Sequence, residues 1–97
     1  MKLLYTPQAR LHLDAIAEYI GARNPDAARR IGARIQETID LLRAFPNMGH
    51  KGKLPKTREM VVPGLPYIVV YRIESGDEDA VVILGVYHGA QRRPGQR

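Results

Sequence analysis

The 97-residue chain contains no cysteine, no tryptophan and a single phenylalanine. Without cysteine it can form no disulfide, no thiolate zinc site and no thiol nucleophile, and this composition fits a reducing cytosol. With so few large aromatic residues, the core has to be built from Ile, Leu, Val and Tyr.

Long apolar runs are also lacking. The N-terminus offers only Leu3, Leu4 and Tyr5 before Thr6 and Pro7. This run is too short for a signal peptide or a membrane span. We therefore expect a cytoplasmic protein with no membrane partner.

Positive charge is in excess, with a net charge of +5. The excess favours acidic partners such as nucleic acid or an acidic protein segment. The length suits one domain, which we place at residues 1–97. Its last residues, 89–97, are basic and rich in Gly and Pro, so they are predicted to form a flexible tail.

Two helices are predicted from their start signals. Thr6-Pro7 and Asn24-Pro25 each place a capping side chain before a proline at the first helical position. Apolar residues then recur at spacings of three and four, which is typical of one buried helical face. Gly21 and Pro46 mark the two ends, and the short linker predicts an antiparallel helical hairpin.

The remaining apolar segments predict strands. Met1–Tyr5 is a short strand, Asn47–Lys56 a loop, and three further strands follow near Thr57–Val62, Tyr67–Glu74 and Ala80–Tyr87. Tyr67–Ile73 is predicted to be central and buried on both faces, whereas Met60–Val62, stopped by Pro63, suits an edge or early strand. The order β-α-α-β-β-β gives an α+β fold with two layers, a helical hairpin packed on a mostly antiparallel sheet.

The segments Thr57–Ile73 and Val81–Pro94 resemble the C-terminal half of the RelE/ParE toxin superfamily, and the ParE branch in particular. The first helix, Asn24-Pro25 and the segment Phe45–Gly49 are also similar to ParE sequences, and the order of elements is that of the RelE/ParE fold. The resemblance implies the toxin of a type II toxin–antitoxin system that inhibits DNA gyrase. It also implies a cognate antitoxin with a DNA-binding N-terminal half and a C-terminal segment that wraps the toxin.

Two binding surfaces are expected on this basis. The target-binding surface combines a basic Gly-rich loop with the end of the last strand, because cations on a loop can meet phosphates or acidic side chains. Its predicted residues are Lys51, Lys53, Lys56, Arg58, His88, Arg92 and Arg93. For the antitoxin we expect the helical hairpin, in the region of Ile16, Ile20, Ile31 and Ile35, and the open edge of the sheet.

A ribosome-dependent messenger RNA endonuclease of the RelE kind is the alternative. Arg58, Arg72 and His88, with Lys53 and Lys56 beside them, are the candidates for acid, base and phosphate-holding groups. The position of the RelE catalytic arginine falls near Pro63, however, and no tyrosine follows Tyr87. These departures favour no catalytic residues at all. A second alternative is an inactive member that only binds its antitoxin.

Other chemistries find little support in the sequence. The carboxylates Asp14 and Glu18 share a helical face with Arg10, an arrangement typical of surface ion pairs. No metal site and no cofactor are expected. The five tyrosines are interpreted as core packing rather than as platforms for stacked bases.

Overall fold

The computed structural model describes residues 1–89. Helix α1 spans Pro7–Gly21 and helix α2 spans Pro25–Ala44. Both begin as predicted: the Thr6 hydroxyl accepts a hydrogen bond from the Ala9 amide at 3.1 Å, and the Asn24 side chain accepts one from the Ala27 amide at 3.0 Å. Each cap satisfies an amide that lacks an intrahelical partner.

Five strands form one mixed sheet. They are β1 (Lys2–Tyr5), β2 (His50–Lys51), β3 (Thr57–Val61), β4 (Tyr67–Glu74) and β5 (Ala80–His88). Their order in the sheet is β1-β5-β4-β3-β2, and only the β1–β5 pair is parallel. The two helices provide the crossover that a parallel pair needs. The α+β class and the mostly antiparallel sheet are therefore confirmed.

Strand β2 was not predicted, since it lies inside the segment interpreted as a loop. Two residues are too few to show a period of two, and β2 exists because it pairs with β3, His50 opposite Glu59 and Lys51 opposite Arg58. The interpretation of Met60–Val62 as an edge or early strand agrees with this register. Strand β2 covers β3 only at Arg58 and Glu59, so Met60 and Val61 pair with β4 alone.

The core lies between the helices and the sheet. Helix α2 contributes Ile35, Ile39 and Leu42, and the central strand β4 contributes Val69 and the fully buried Tyr71. Three successive residues of β4 (Val69 to Tyr71) are buried, so both faces of this strand are covered at its middle, as predicted.

The predicted tail is described only at its first residue. The Gly89 amide donates a hydrogen bond to the Pro66 carbonyl at 2.6 Å. Residues 90–97, including Arg92 and Arg93, lie outside the described part of the chain. Within residues 1–89, neither helix is long and apolar enough to cross a membrane.

Candidate functional sites

A cluster of hydrogen bonds holds the segment between α2 and β2 against strand β4. The buried Tyr71 hydroxyl donates to the Pro46 carbonyl at 2.6 Å and accepts from the Gly49 amide at 3.0 Å. A Cβ atom at Gly49 would lie 2.6 Å from both the Tyr71 hydroxyl and the Glu59 carbonyl oxygen. The close approach of these groups therefore requires glycine at this position.

Arg58 belongs to the same cluster. It lies opposite Tyr71 in the sheet, and its guanidinium donates to the carbonyls of Asn47 and Gly49 at 3.1 and 2.5 Å. This cation, predicted to face a target, thus satisfies backbone carbonyls of its own chain. The Nε2 atom of neighbouring His50 lies 3.7 Å from Oε1 of Glu59. Glu59 is a buried residue, with only 4 % of its surface exposed.

The predicted basic loop forms one wall of an open depression of about 550 Å³. We call it the lysine depression, and its lining is Lys51, Gly52, Lys53, Leu54, Pro55, Lys56, Thr57, Arg58 and Ile73. Three of these are exposed lysines. In the described part of the chain, no hydrogen bond or ion pair occupies their ammonium groups. Lys56 has φ of 64°, a left-handed conformation that is uncommon for a residue with a Cβ atom.

An apolar groove of about 380 Å³ lies between α1 and the opposite end of the sheet. This α1 groove is lined by Ala15, Ile16, Tyr19, Ile20, Tyr67 and His88. The His88 ring meets the Tyr67 ring edge to face, with centroids 5.6 Å apart. Two of the residues expected to contact an antitoxin, Ile16 and Ile20, are thus brought together here.

The other two predicted antitoxin residues lie deeper. Ile31 is half-buried against the core, and Ile35 is only 2 % exposed. A partner could contact the Ile35 side chain only if the hairpin moved away from the sheet. In this structure, the accessible part of the predicted surface is therefore its α1 side.

Tyr19 corrects the interpretation of the tyrosines as core residues. It is 55 % exposed, and the Arg23 guanidinium lies 3.8 Å from the centre of its ring. Its spacing from Ile16 and Ala15, three and four residues, could have indicated a shared helical face. Sequence reasoning missed it because the same spacing is expected of a core stripe.

His88 lies apart from the other residues of the endonuclease alternative. Arg72 pairs with Thr57, whereas His88 pairs with Tyr67 at the other end of β4. Five residues of strand separate Tyr67 from Arg72, about 17 Å. The Arg72 guanidinium lies 2.7 Å from the Glu74 carboxylate, and Arg58 is held by backbone carbonyls. The predicted target-binding residues are divided in the same way, because His88 lies far from the lysine depression.

His12, which no sequence motif singled out, links α1 to β5. Its Nδ1 accepts a hydrogen bond from the Val86 amide at 3.1 Å, and its ring contacts the Tyr87 ring edge to face at 4.8 Å. Burial lowers the pKa of His12, because the charged ring would lose hydration. The neutral form is also the form that can accept the Val86 hydrogen bond at Nδ1.

Among residues 1–89, no three His, Asp or Glu side chains are grouped so that they could hold a metal ion. Two carboxylates of the same region form ion pairs instead, Glu78 with Lys2 and Glu74 with Arg72.

The same architecture, two helices packed on a sheet, is found in solved structures. A chain in the solved structure of the chromosomal ParDE TA system from P. aeruginosa matches with a TM-score of 0.78 and 23 % identity, over 91 % of this chain and 95 % of that one. The YoeB/ParE toxin from Agrobacterium tumefaciens matches with a TM-score of 0.62 and 20 % identity, over 91 % of this chain and 98 % of that one. At these identities the likeness concerns the fold.

Sequence comparison gives the family. The family model for the ParE toxin of the type II toxin–antitoxin system parDE matches residues 3–93. The protein Y4kP of Sinorhizobium fredii is 40 % identical over 96 % of this chain and 93 % of its own, and Toxin RelE2 of Caulobacter vibrioides is 31 % identical over 93 % and 97 %. The chain therefore belongs to the ParE toxin family of type II toxin–antitoxin systems, and the predicted resemblance is confirmed.

Proposed function

We propose that the protein inhibits DNA gyrase and that a cognate antitoxin neutralises it by binding the α1 groove. Membership of the ParE family over nearly the whole chain supports the gyrase target. Because gyrase is a cytoplasmic enzyme, the protein would act in the cytoplasm. On this proposal the toxin acts by binding and contributes no catalytic residue.

The dispersal of the possible catalytic groups is the observation that carries this choice. A general acid, a general base and a phosphate-holding cation have to converge on one reacting bond. His88 lies at the other end of β4 from Arg58 and Arg72, and all three side chains already make contacts within the chain. The geometry therefore favours binding over RNA cleavage.

The antitoxin surface is argued from exposure and composition. The α1 groove combines apolar side chains with the exposed ring of Tyr19, and such a groove suits the apolar face of an amphipathic segment. The Arg23 guanidinium lies over the Tyr19 ring of this groove, so an acidic residue in that segment would meet complementary charge. A segment that folds on binding could supply both features.

Expression of the chain alone in a bacterial host tests the target. We expect growth to stop, with DNA synthesis falling before protein synthesis. An early loss of translation with cut messenger RNA would support the endonuclease alternative instead. Continued growth with intact folded protein would support the member that only binds its antitoxin.

The antitoxin surface needs a separate test. Ile20→Lys places a charge in the α1 groove, and it should abolish rescue by the co-expressed antitoxin while growth arrest persists. Ala44→Glu, at the exposed end of α2, is the matched control and should be rescued like the unchanged chain. Full rescue of Ile20→Lys would show that the antitoxin binds elsewhere.

A further inference from the structure

We infer that the lysine depression binds the phosphate backbone of duplex DNA. This inference deepens the proposed function and rests on it for its biological setting, since gyrase holds duplex DNA.

The charge of the depression is not neutralised by the protein. Lys51, Lys53 and Lys56 lie within six residues of one another along the wall, and no side-chain contact among the described residues engages them. Ammonium groups free of partners can replace the counterions condensed on a phosphate backbone, and the released counterions provide the binding free energy.

The nearest carboxylates face other cations. Glu59 lies by His50, and Glu74 contacts Arg72 at 2.7 Å. Glu78, in the turn between β4 and β5, lies 3.5 Å from Lys2 on the β1 side of the sheet. These three carboxylates therefore oppose cations other than the lysines of the depression.

The lining favours a duplex over a single strand. Proteins that hold single strands stack the bases on aromatic side chains, and this stacking supplies much of their affinity. The lining contains no Phe, Tyr, Trp or His. It offers cations and the apolar side chains of Leu54 and Ile73, which suit contacts to phosphate and sugar.

The backbone around Lys56 holds the wall in a defined shape. The Thr57 hydroxyl and amide both donate to the Leu54 carbonyl, at 2.7 and 3.2 Å, and the Gly52 amide donates to the Thr57 carbonyl at 2.8 Å. These bonds close a tight loop in which Lys56 takes its left-handed conformation. Its ammonium group is therefore presented from an ordered backbone, which lowers the entropy that binding has to overcome.

Two triple variants with equal net charge test the inference. Replacing Lys51, Lys53 and Lys56 by Gln lowers the net charge from +5 to +2, and so does replacing Lys2, Arg29 and Arg30 by Gln elsewhere on the surface. Binding of the purified chain to a labelled DNA duplex is measured by fluorescence anisotropy at several salt concentrations. Thermal unfolding checks that both variants remain folded.

The depression variant should bind about tenfold more weakly or worse, whereas the control should stay near the affinity of the unchanged chain. The slope of log K against log salt should fall by about 2.7 in the depression variant, for three lost phosphate contacts. Equal losses in the two variants, or tighter binding to a single strand than to the duplex, would overturn the inference.

The same variants separate this inference from the proposed function. A depression variant that loses duplex binding but still inhibits gyrase supercoiling leaves the gyrase target standing and refutes a role for the depression in it. Duplex binding by the unchanged chain without any effect on gyrase would support the depression and contradict the proposed function.

Discussion

At the scale of single residues, the position of the segment between α2 and β2 depends on two side chains of neighbouring strands. Tyr71 bonds to Pro46 and Gly49, and Arg58 bonds to Asn47 and Gly49. Both side chains therefore fix the start of the segment that continues into the lysine depression. Buried hydrogen bonds of this kind matter chiefly because losing one partner leaves the other unsatisfied.

Tyr71→Phe removes the hydroxyl and leaves the Gly49 amide and the Pro46 carbonyl without that partner. We expect the free energy of unfolding to fall by about 1–3 kcal/mol. Urea unfolding measures the change. Tyr19→Phe, at an exposed ring, is the control and should stay within about 0.5 kcal/mol of the unchanged chain. Equal stability of the Tyr71 variant and the unchanged chain would show that the hydroxyl is not a structural anchor.

Sequence reasoning reached these residues only in part. It grouped Arg58 with the lysines, because a cation on a loop looks the same whether it meets a ligand or its own backbone. The register that places Arg58 opposite Tyr71 is a long-range property of the sheet. The lysines of the depression could be grouped from the sequence alone, since they are neighbours along the chain.

At the scale of elements, Thr6 and helix α1 cover the edge of strand β5 beyond the point where β1 ends. Strand β1 ends at Tyr5, opposite Ile83, and beyond it Thr6 takes over the edge of β5. The Thr6 amide donates to the Ile83 carbonyl at 3.0 Å, and its hydroxyl donates to the Leu84 carbonyl at 3.2 Å. His12 then accepts from the Val86 amide at 3.1 Å. Thr6 and the His12 side chain thus satisfy backbone groups of β5 that a longer β1 would have paired.

The His12 contact makes stability depend on pH. Because burial lowers the pKa of His12 in the folded chain, the unfolded chain takes up this proton first as the pH falls. The stabilisation that neutral His12 gives to the folded chain is complete above the unfolded pKa of about 6.5. It is lost as the pH falls from there through the lower pKa of the folded chain. Unfolding free energies measured between about pH 5 and 8 should therefore decrease towards acid.

The matched variants are His12→Gln and His88→Gln. His12→Gln removes the titrating group and keeps an acceptor for the Val86 amide, so its stability should vary less over the same pH range. His88→Gln leaves His12 in place and should keep the loss on the acid side. An unchanged pH dependence in His12→Gln would contradict this role of His12.

Helix α2 carries a glycine that its packing does not require. A Cβ atom at the exposed Gly32 would meet nothing within 4 Å. Gly32→Ala should raise the free energy of unfolding by about 0.5–1 kcal/mol, because alanine loses less backbone entropy in a helix. Gly49→Ala is the matched contrast and should destabilise, since its Cβ would lie 2.6 Å from two oxygens. Thermal unfolding of both variants measures the difference in sign.

The elements were predictable to the extent that their signals are local. The capping residue, the proline of the first turn and the apolar spacing all lie within or next to one helix. The starts of α1 and α2 could therefore be predicted from these signals. Strand β2 has no such local signal, because its two residues are defined by pairing with β3. The α1 groove was predictable only as apolar positions, since its shape depends on how α1 meets Tyr67 and His88.

At the scale of the whole molecule, two surfaces of different chemistry lie at opposite ends of one sheet. The lysine depression lies beside the start of β3, and the α1 groove lies beside the start of β4 and the end of β5. Strand pairing places Thr57 next to Arg72 and Tyr67 next to His88, at the two ends of β4. A small domain can in this way face two partners without overlap, one at each end.

Supercoiling by purified gyrase in the presence of the purified chain is the decisive measurement for the proposed target. We expect that supercoiling is inhibited, that cleaved DNA accumulates, and that added antitoxin reverses both effects. Undisturbed supercoiling, together with messenger RNA cut on ribosomes by the same preparation, would contradict it.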